Sequence, residues 1–166
     1  MADNPGQYGR DVSAALDKYA DTVRRICFLH LRQRADVEDV FQEVFLQYLQ
    51  RKEAFESEEH EKAWLLRVAI NRCKDLVKSF WHNRVDPLDD EMMAMVPSES
   101  HEILDAVLRL PPSERNAVYL FYYEGYSVTE IARVQNQKAN TVYSHLHRAR
   151  KRLYRQLGGL EHEEDD

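Results

Sequence analysis

Apolar residues recur at three- and four-residue steps through most of this chain, and no long β-branched run bounded by turn signals interrupts them. From Asp11, the positions Val12, Leu16, Tyr19, Val23, Ile26 or Cys27, and Leu31 predict one helix to about Arg32. Asp36 is the expected cap of a second, DVEDVFQEVFLQYLQR, whose buried side is Val37, Val40, Phe41, Val44, Phe45, Tyr48 and Leu49. Glu38, Asp39, Gln42 and Glu43 stay at its first turns, where the helix dipole favours acids. The connector RKEAFESEEHEK leads to a third helix, capped by Ser57 or a neighbour and running to about Trp81. Its apolar side is Trp64, Leu65, Val68, Ala69, Leu76 and Phe80, and its other side carries Arg67, Asn71, Lys74 and Lys78. Arg72 lands inside the apolar stripe, with pairing to an acid or snorkelling as its outlets. The run RVDPLDDEMMAMVPSES has two prolines and no sustained period, so it reads as a linker. Beyond it, Ile103, Leu104, Val107, Leu108 and Leu110 predict a short helix stopped at Pro111-Pro112; Pro112 opens the next, which Gly125 ends.

The most informative pattern lies between Tyr126 and Leu157. Ser127 and Glu130 form a capping box ahead of Val128, Ile131, Ala132 and Val134. That helix stops near Gln135-Asn136, since Asn tolerates the left-handed backbone of a sharp turn. A second helix starts between Lys138 and Asn140 and runs to about Leu157. On a helical wheel Val142, Leu146, Ala149 and Leu153 share one stripe, with Asn140, Ser144, His147, Arg148, Lys151 and Arg155 opposite. Seven Lys or Arg and one acid lie between Ser127 and Leu157. A helix that follows a tight turn, polar at its start and cationic along its outer face, suits the DNA major groove; an ordinary solvated face is the competing reading.

The net charge of −6 argues against DNA until its distribution is read. Residues 36–61 hold nine acids and two bases, 62–84 six bases and one acid, 85–106 seven acids and no base, and the last seven residues five acids. Such blocks suit a protein with one basic and one acidic client. No apolar run approaches a membrane span and no secretory signal opens the chain, and Cys27 and Cys73 form no disulfide framework, so a cytoplasmic location is expected. Cys27 and His30 lie one turn apart, but no second pair has ligand spacing, so no metal is expected. His145 and His147 point to different sides of their helix. Phosphate loops, nucleophile elbows and helical His pairs with an acid between are all missing; no enzyme, cofactor or small-molecule substrate is expected.

Four segments resemble the extracytoplasmic-function (ECF) class of bacterial RNA polymerase sigma factors across roughly residues 12–157. They are D-V-E-D-V-F-Q-E-V-F-L; W-L-x-R-V-A-x-N-x-x-x-D from Trp64 to Asp75; L-P-P-S-E-R-N-A-V; and G-Y-S-x-x-E-I-A followed by T-V-x-S-x-L-x-R-A-R-K-R-L. The resemblance implies docking of the second helix on the β′ coiled coil of core RNA polymerase through Asp39, Gln42, Glu43 and Phe45. It implies minus-ten promoter recognition and melting by Arg67, Asn71, Lys74 and Lys78, with Phe55 as a stacking surface or a buried aromatic. It also implies minus-thirty-five recognition by Asn140, Thr141, Ser144, His147, Arg148, Lys151 and Arg155. Further implied partners are the polymerase β flap, promoter DNA and an anti-sigma factor of the membrane-anchored kind expected from the class. The family commonly has Leu-Gly at the helix-turn-helix turn and a small N-cap after it; here Gln135-Asn136 and Lys138 take those places.

The expected fold is therefore all-α, two small helical domains joined by a flexible linker, the second a helix-turn-helix domain. Residues 1–84 form the docking and minus-ten domain, 85–100 the acidic linker, 101–158 the minus-thirty-five domain and 159–166 an acidic tail. The expected function is transcription initiation. The alternative is a stand-alone helix-turn-helix regulator with an N-terminal sensor or dimerisation bundle, which has no need of the motifs in residues 36–78; a helical adaptor that avoids DNA leaves the face from Asn140 to Arg155 unexplained.

Overall fold

Residues 12–79, 94 and 96–158 are described by a computed structural model, and among them every regular element is helical. The expected fraying of residues 1–10, the helical Phe80 and Trp81, most of the linker and the acidic tail lie outside the described residues. The chain divides into two units, Met1–Asp89 and Asp90–Asp166.

In the first unit α1 (Val12–Phe28), α2 (Arg34–Gln50) and α3 (Glu58–Ser79) each pack on the other two. Their shared core is built from Tyr19, Val23, Ile26 and Cys27 of α1, Val37, Val40, Phe41, Val44, Phe45 and Tyr48 of α2, and Leu65, Leu66, Ala69, Ile70 and Cys73 of α3. Ser57 caps α3, its Oγ accepting from the His60 amide at 3.0 Å. Asp36, by contrast, does not cap α2. That helix starts at Arg34 after an uncapped Gln33, because Arg34 and Ala35 are good helix formers and carry the first turn back past the acid. Asp36 thus sits inside the first turn, where burial and then the charge of Asp39 push its carboxyl pKa up.

The buried stripe of α3 is rotated from the expected one. Leu65, Leu66, Ala69, Ile70 and Cys73 fill the interior, while Trp64, Val68 and Leu76 are only half-buried. With the stripe recentred, Arg72 falls on its border. Leu49, expected inside, is 42% exposed.

Cys27 and Cys73 face each other across α1 and α3, both fully buried and unbridged. A hydrogen bond to Cys73 and burial push the Cys27 thiol far above the usual range, so it stays protonated. Changing both to Ala removes roughly a methylene's packing at each site and is expected to cost about 1–3 kcal/mol in urea unfolding. Promoter-directed transcription by the double variant should persist at temperatures where it is folded.

In the second unit a short 3-10 turn, Ser98–Ser100, continues into α4 (His101–Leu108). Pro112 opens α5 (Pro112–Val118), which runs directly into a π-helical stretch, Tyr119–Tyr123. Wider turns there have the Tyr119 carbonyl accepting from the Glu124 amide at 3.1 Å, and Gly125, at φ +73°, closes the segment. The motif L-P-P-S-E-R has a structural explanation. Arg115 is buried and its Nη2 donates to the carbonyls of Leu108 (3.1 Å) and Leu110 (2.9 Å), satisfying acceptors that the end of α4 leaves open. The helix pair α6 (Val128–Gln135) and α7 (Ala139–Gln156) completes the unit, with Ile131, Ala132, Val134, Val142, Leu146 and Ala149 buried.

Candidate docking and nucleic-acid faces

The turn between α6 and α7 fixes how α7 is presented. Both halves of the capping box form, Ser127 Oγ accepting from the Glu130 amide at 3.1 Å and Glu130 Oε1 from the Ser127 amide at 3.4 Å. At the other end Asn136 takes the left-handed conformation, φ 51° and ψ 53°. The Gln137 amide reaches the Ala132 carbonyl at 2.8 Å and the Asn136 amide the Arg133 carbonyl at 3.3 Å, the bonding of a Schellman motif. Asn136 therefore does here what Gly does in most such turns. Lys138 flanks α7 with no side-chain cap, and its carbonyl accepts from the amides of Thr141 (3.0 Å) and Val142 (3.2 Å).

The buried side of α7 is Val142, Leu146 and Ala149, each at most 1% exposed, with Leu153 half-buried beyond them. Asn140, Thr141, Ser144, His147, Arg148, Lys151 and Arg155 are all exposed. Two further cations of the helix have other partners. Arg152 Nε lies 3.1 Å from Oε2 of Glu114, a carboxylate only 4% exposed on α5. Arg150 Nε donates to the Tyr122 hydroxyl at 2.7 Å and sits over the rings of Phe121 and Tyr122. The sequence signal for this split was the wheel position of Arg150 and Arg152, on the flanks of the stripe.

His145, half-buried on the same flank as Arg152, has its pKa lowered by burial and then by Arg148, against an opposing pull from Glu114. The sign follows: the unfolded chain binds the proton more readily, so folding stability rises with pH across this window. Acidification from just above the ordinary His value of 6.5 down through the lowered folded value should destabilise the second unit, and His145→Gln should flatten that dependence. Urea midpoints at successive pH values read it.

In the first unit, Asp39, Gln42 and Glu43 lie on one exposed face of α2. Phe45 does not join them. It is 5% exposed and in ring contact with Phe41 and Tyr48, so it belongs to the core. The apolar residue beside the acids is Leu46, 53% exposed, followed by Leu49. Helical spacing held the signal, since Leu46 lies one turn past Gln42 and Glu43 while Phe45 follows Phe41.

On α3, Arg67, Asn71 and Lys78 are exposed and Lys74 is half-buried. Phe55 sits in an aromatic cluster. Its ring stacks on Tyr48 (centroids 5.8 Å), meets Trp64 and the edge of His60, and lies under the Arg51 guanidinium at 4.5 Å. It is half-buried and fastens the connector to α2 and α3. Among the described residues no group of three His, Cys, Asp or Glu could hold a metal ion, and no helix is long and apolar enough to cross a membrane.

Comparison with known proteins covers both units. The family model for sigma-70 region 2 matches residues 15–82 and that for sigma-70 region 4 matches residues 100–153. The ECF RNA polymerase sigma factor SigM of Mycobacterium tuberculosis is 30% identical over 143 residues, spanning 83% of this chain and 72% of that protein. The ECF RNA polymerase sigma factor SigW of Bacillus subtilis is 26% identical over 87% of this chain and 88% of its own. The fold is similar to that of the sigma factor RpoE from Bartonella quintana in its complex with the anti-sigma factor NepR, with a TM-score of 0.70 and 19% identity over 90% of this chain and 98% of that one. Both halves of the helical architecture thus match one family in its own order, and the chain belongs to the ECF sigma factors of bacterial RNA polymerase.

Proposed function

We propose that this transcription initiation factor docks on core RNA polymerase through the exposed face of α2 and reads promoter DNA with α3 and α7. Docking falls to Asp39, Gln42 and Glu43, with Leu46, in place of the buried Phe45, supplying the apolar contact. Arg67, Asn71, Lys74 and Lys78 meet the minus-ten element, where a basic, hydrogen-bonding helix face suits a backbone with exposed bases. Asn140, Thr141, Ser144, His147, Arg148, Lys151 and Arg155 meet the minus-thirty-five duplex. The observation that carries this reading is α7 itself: its buried stripe is pinned, so all seven proposed contacts stand exposed together on the helix after a tight turn.

The family is non-catalytic, and this chain lends specificity to an enzyme that has the chemistry. Residues 1–84 serve as the docking and minus-ten domain, 101–158 as the minus-thirty-five domain, and the acidic segment 85–100 as the tether between them. The β flap is the proposed polymerase partner of the second domain. RpoE of Bartonella quintana is held by an anti-sigma factor, and an antagonist of that kind is proposed for this protein, working in the cytoplasm.

Gel filtration of the full-length protein with purified core polymerase tests the reading. A stoichiometric complex is expected, together with weak binding of the free protein to promoter duplex, because its net charge is −6 and two tethered modules lack fixed spacing. Tight, sequence-specific duplex binding by the free protein at physiological salt, with no polymerase complex, would establish the stand-alone regulator instead.

A further inference from the structure

Arg72 is the base that the wheel put inside the apolar stripe of α3, and the structure gives it a place between the two helices proposed to dock and to read DNA. Its Nη1 lies 3.4 Å from Glu43 Oε1 on α2 and 3.9 Å from Asp75 Oδ2 on its own helix. With the Gln47 amide oriented as its hydrogen bonds require, the Gln47 oxygen accepts from Arg72 Nε at 2.8 Å and from Nη2 at 2.7 Å. All three nitrogens of the guanidinium are therefore engaged by α2 or by Asp75. Glu43 and Gln47 are four residues apart, so one planar fork grips two successive turns of α2. The side chains of Arg72 and Glu43 are 38% and 47% exposed. An isolated pair at that exposure counts for little; a bidentate fork within a network is the case in which such contacts count.

Resting on the docking reading of α2, we propose that Arg72 is a positioning residue for core polymerase binding: held from α3, it fixes the side chains of Glu43 and Gln47 in the orientation that the polymerase meets. Without the clasp, Glu43 rotates among its rotamers and loses that freedom only on docking. The penalty for ordering one such side chain corresponds to about a three- to tenfold loss of affinity. Lys does not replace Arg here: its three donors radiate from one nitrogen, whereas the planar fork presents Nε and Nη2 to Gln47 and Nη1 to Glu43 and Asp75 at once.

The test measures core polymerase affinity of full-length protein for wild type, Arg72→Lys, Gln47→Ala, Glu43→Gln and the double variant Arg72→Lys/Glu43→Gln, with urea midpoints alongside. Arg72→Lys should weaken binding about three- to tenfold at a nearly unchanged midpoint, and the same substitution should have little further effect once Glu43 is Gln. Gln47→Ala leaves Arg72 in place and keeps a good helix former, so it checks the clasp should Arg72→Lys fold poorly; a smaller loss in the same direction is expected. The inference is overturned if neither Arg72→Lys nor Gln47→Ala weakens binding, or if the loss from Arg72→Lys is undiminished in the Glu43→Gln background, the pattern of a purely structural role. Failure of the docking reading shows separately, as an unchanged affinity in Glu43→Gln alone, and that result overturns this inference with it.

Discussion

Replacing Asp39 and Glu43 together with Lys is expected to lower affinity for core RNA polymerase by about two orders of magnitude while the circular-dichroism spectrum stays helical. The size comes from reversal rather than removal: two attractive charges become repulsive at a surface whose partner must be complementary. Folding should survive for reasons visible in the structure. Both side chains are exposed, and both lie beyond the first turn of a helix that starts at Arg34, where the dipole matters most. The local penalty is the loss of the Glu43–Arg72 contact and a new Lys–Arg repulsion, a half-exposed interaction of about 1 kcal/mol or less. Binding measured by competition for core, with the urea midpoint as control, separates the two effects. Unchanged affinity would take α2 out of the interface.

Arg148→Glu and Asn71→Ala carry the other large expectation, since the two helices should fail at different steps. Arg148 is exposed on α7 opposite Val142, Leu146 and Ala149, so it is expected to meet duplex before any strand separates. Its loss lowers the salt slope of closed-complex formation by about one, and the Glu that replaces it adds repulsion from phosphate. Recruitment should fall by tenfold or more, on the order of a lost base contact's 1–3 kcal/mol. Asn71 is exposed on α3 opposite Cys73 and Ala69, where it can hydrogen-bond to an unpaired base. Asn71→Ala should permit recruitment and impair opening, and a template already melted around the minus-ten element should restore only part of the activity. Footprints report recruitment and permanganate reactivity of unpaired thymines reports opening. The reverse pattern would mean the two helices have been assigned the wrong way round.

Periodicity made the helices and the main faces legible because both depend on local rules. The α6–α7 turn is the clearest case: a capping box at Ser127 and Glu130 and an Asn able to turn left-handed were sufficient to place both helix ends. Asn136, at φ 51°, takes the left-handed backbone that Gly takes in most such turns. Features that depend on contact between helices were not legible. Phe45 is the exception: periodicity already put it on the buried stripe of α2, and only the family resemblance drew it into the docking face. Arg72 looked misplaced because the α3 stripe was centred on Trp64 and Val68, and its partners Glu43 and Gln47 lie far back in the chain. The wheel sets Arg152 on the flank of the α7 stripe, but its partner Glu114 on α5 was not legible. The π-helical turn at Tyr119–Tyr123 left no local signature in a run of aromatic residues, and it follows α5 without a break.

As an ECF sigma factor, this chain is expected to turn core polymerase into a promoter-opening enzyme. Permanganate probing reads that opening on a template selected by the reconstituted holoenzyme from genomic fragments of the source organism. Core polymerase with this protein is expected to give reactive thymines around one start site, and neither component alone should give any. Reactivity with core alone, or a footprint by the free protein with no opening when core is added, would contradict the account.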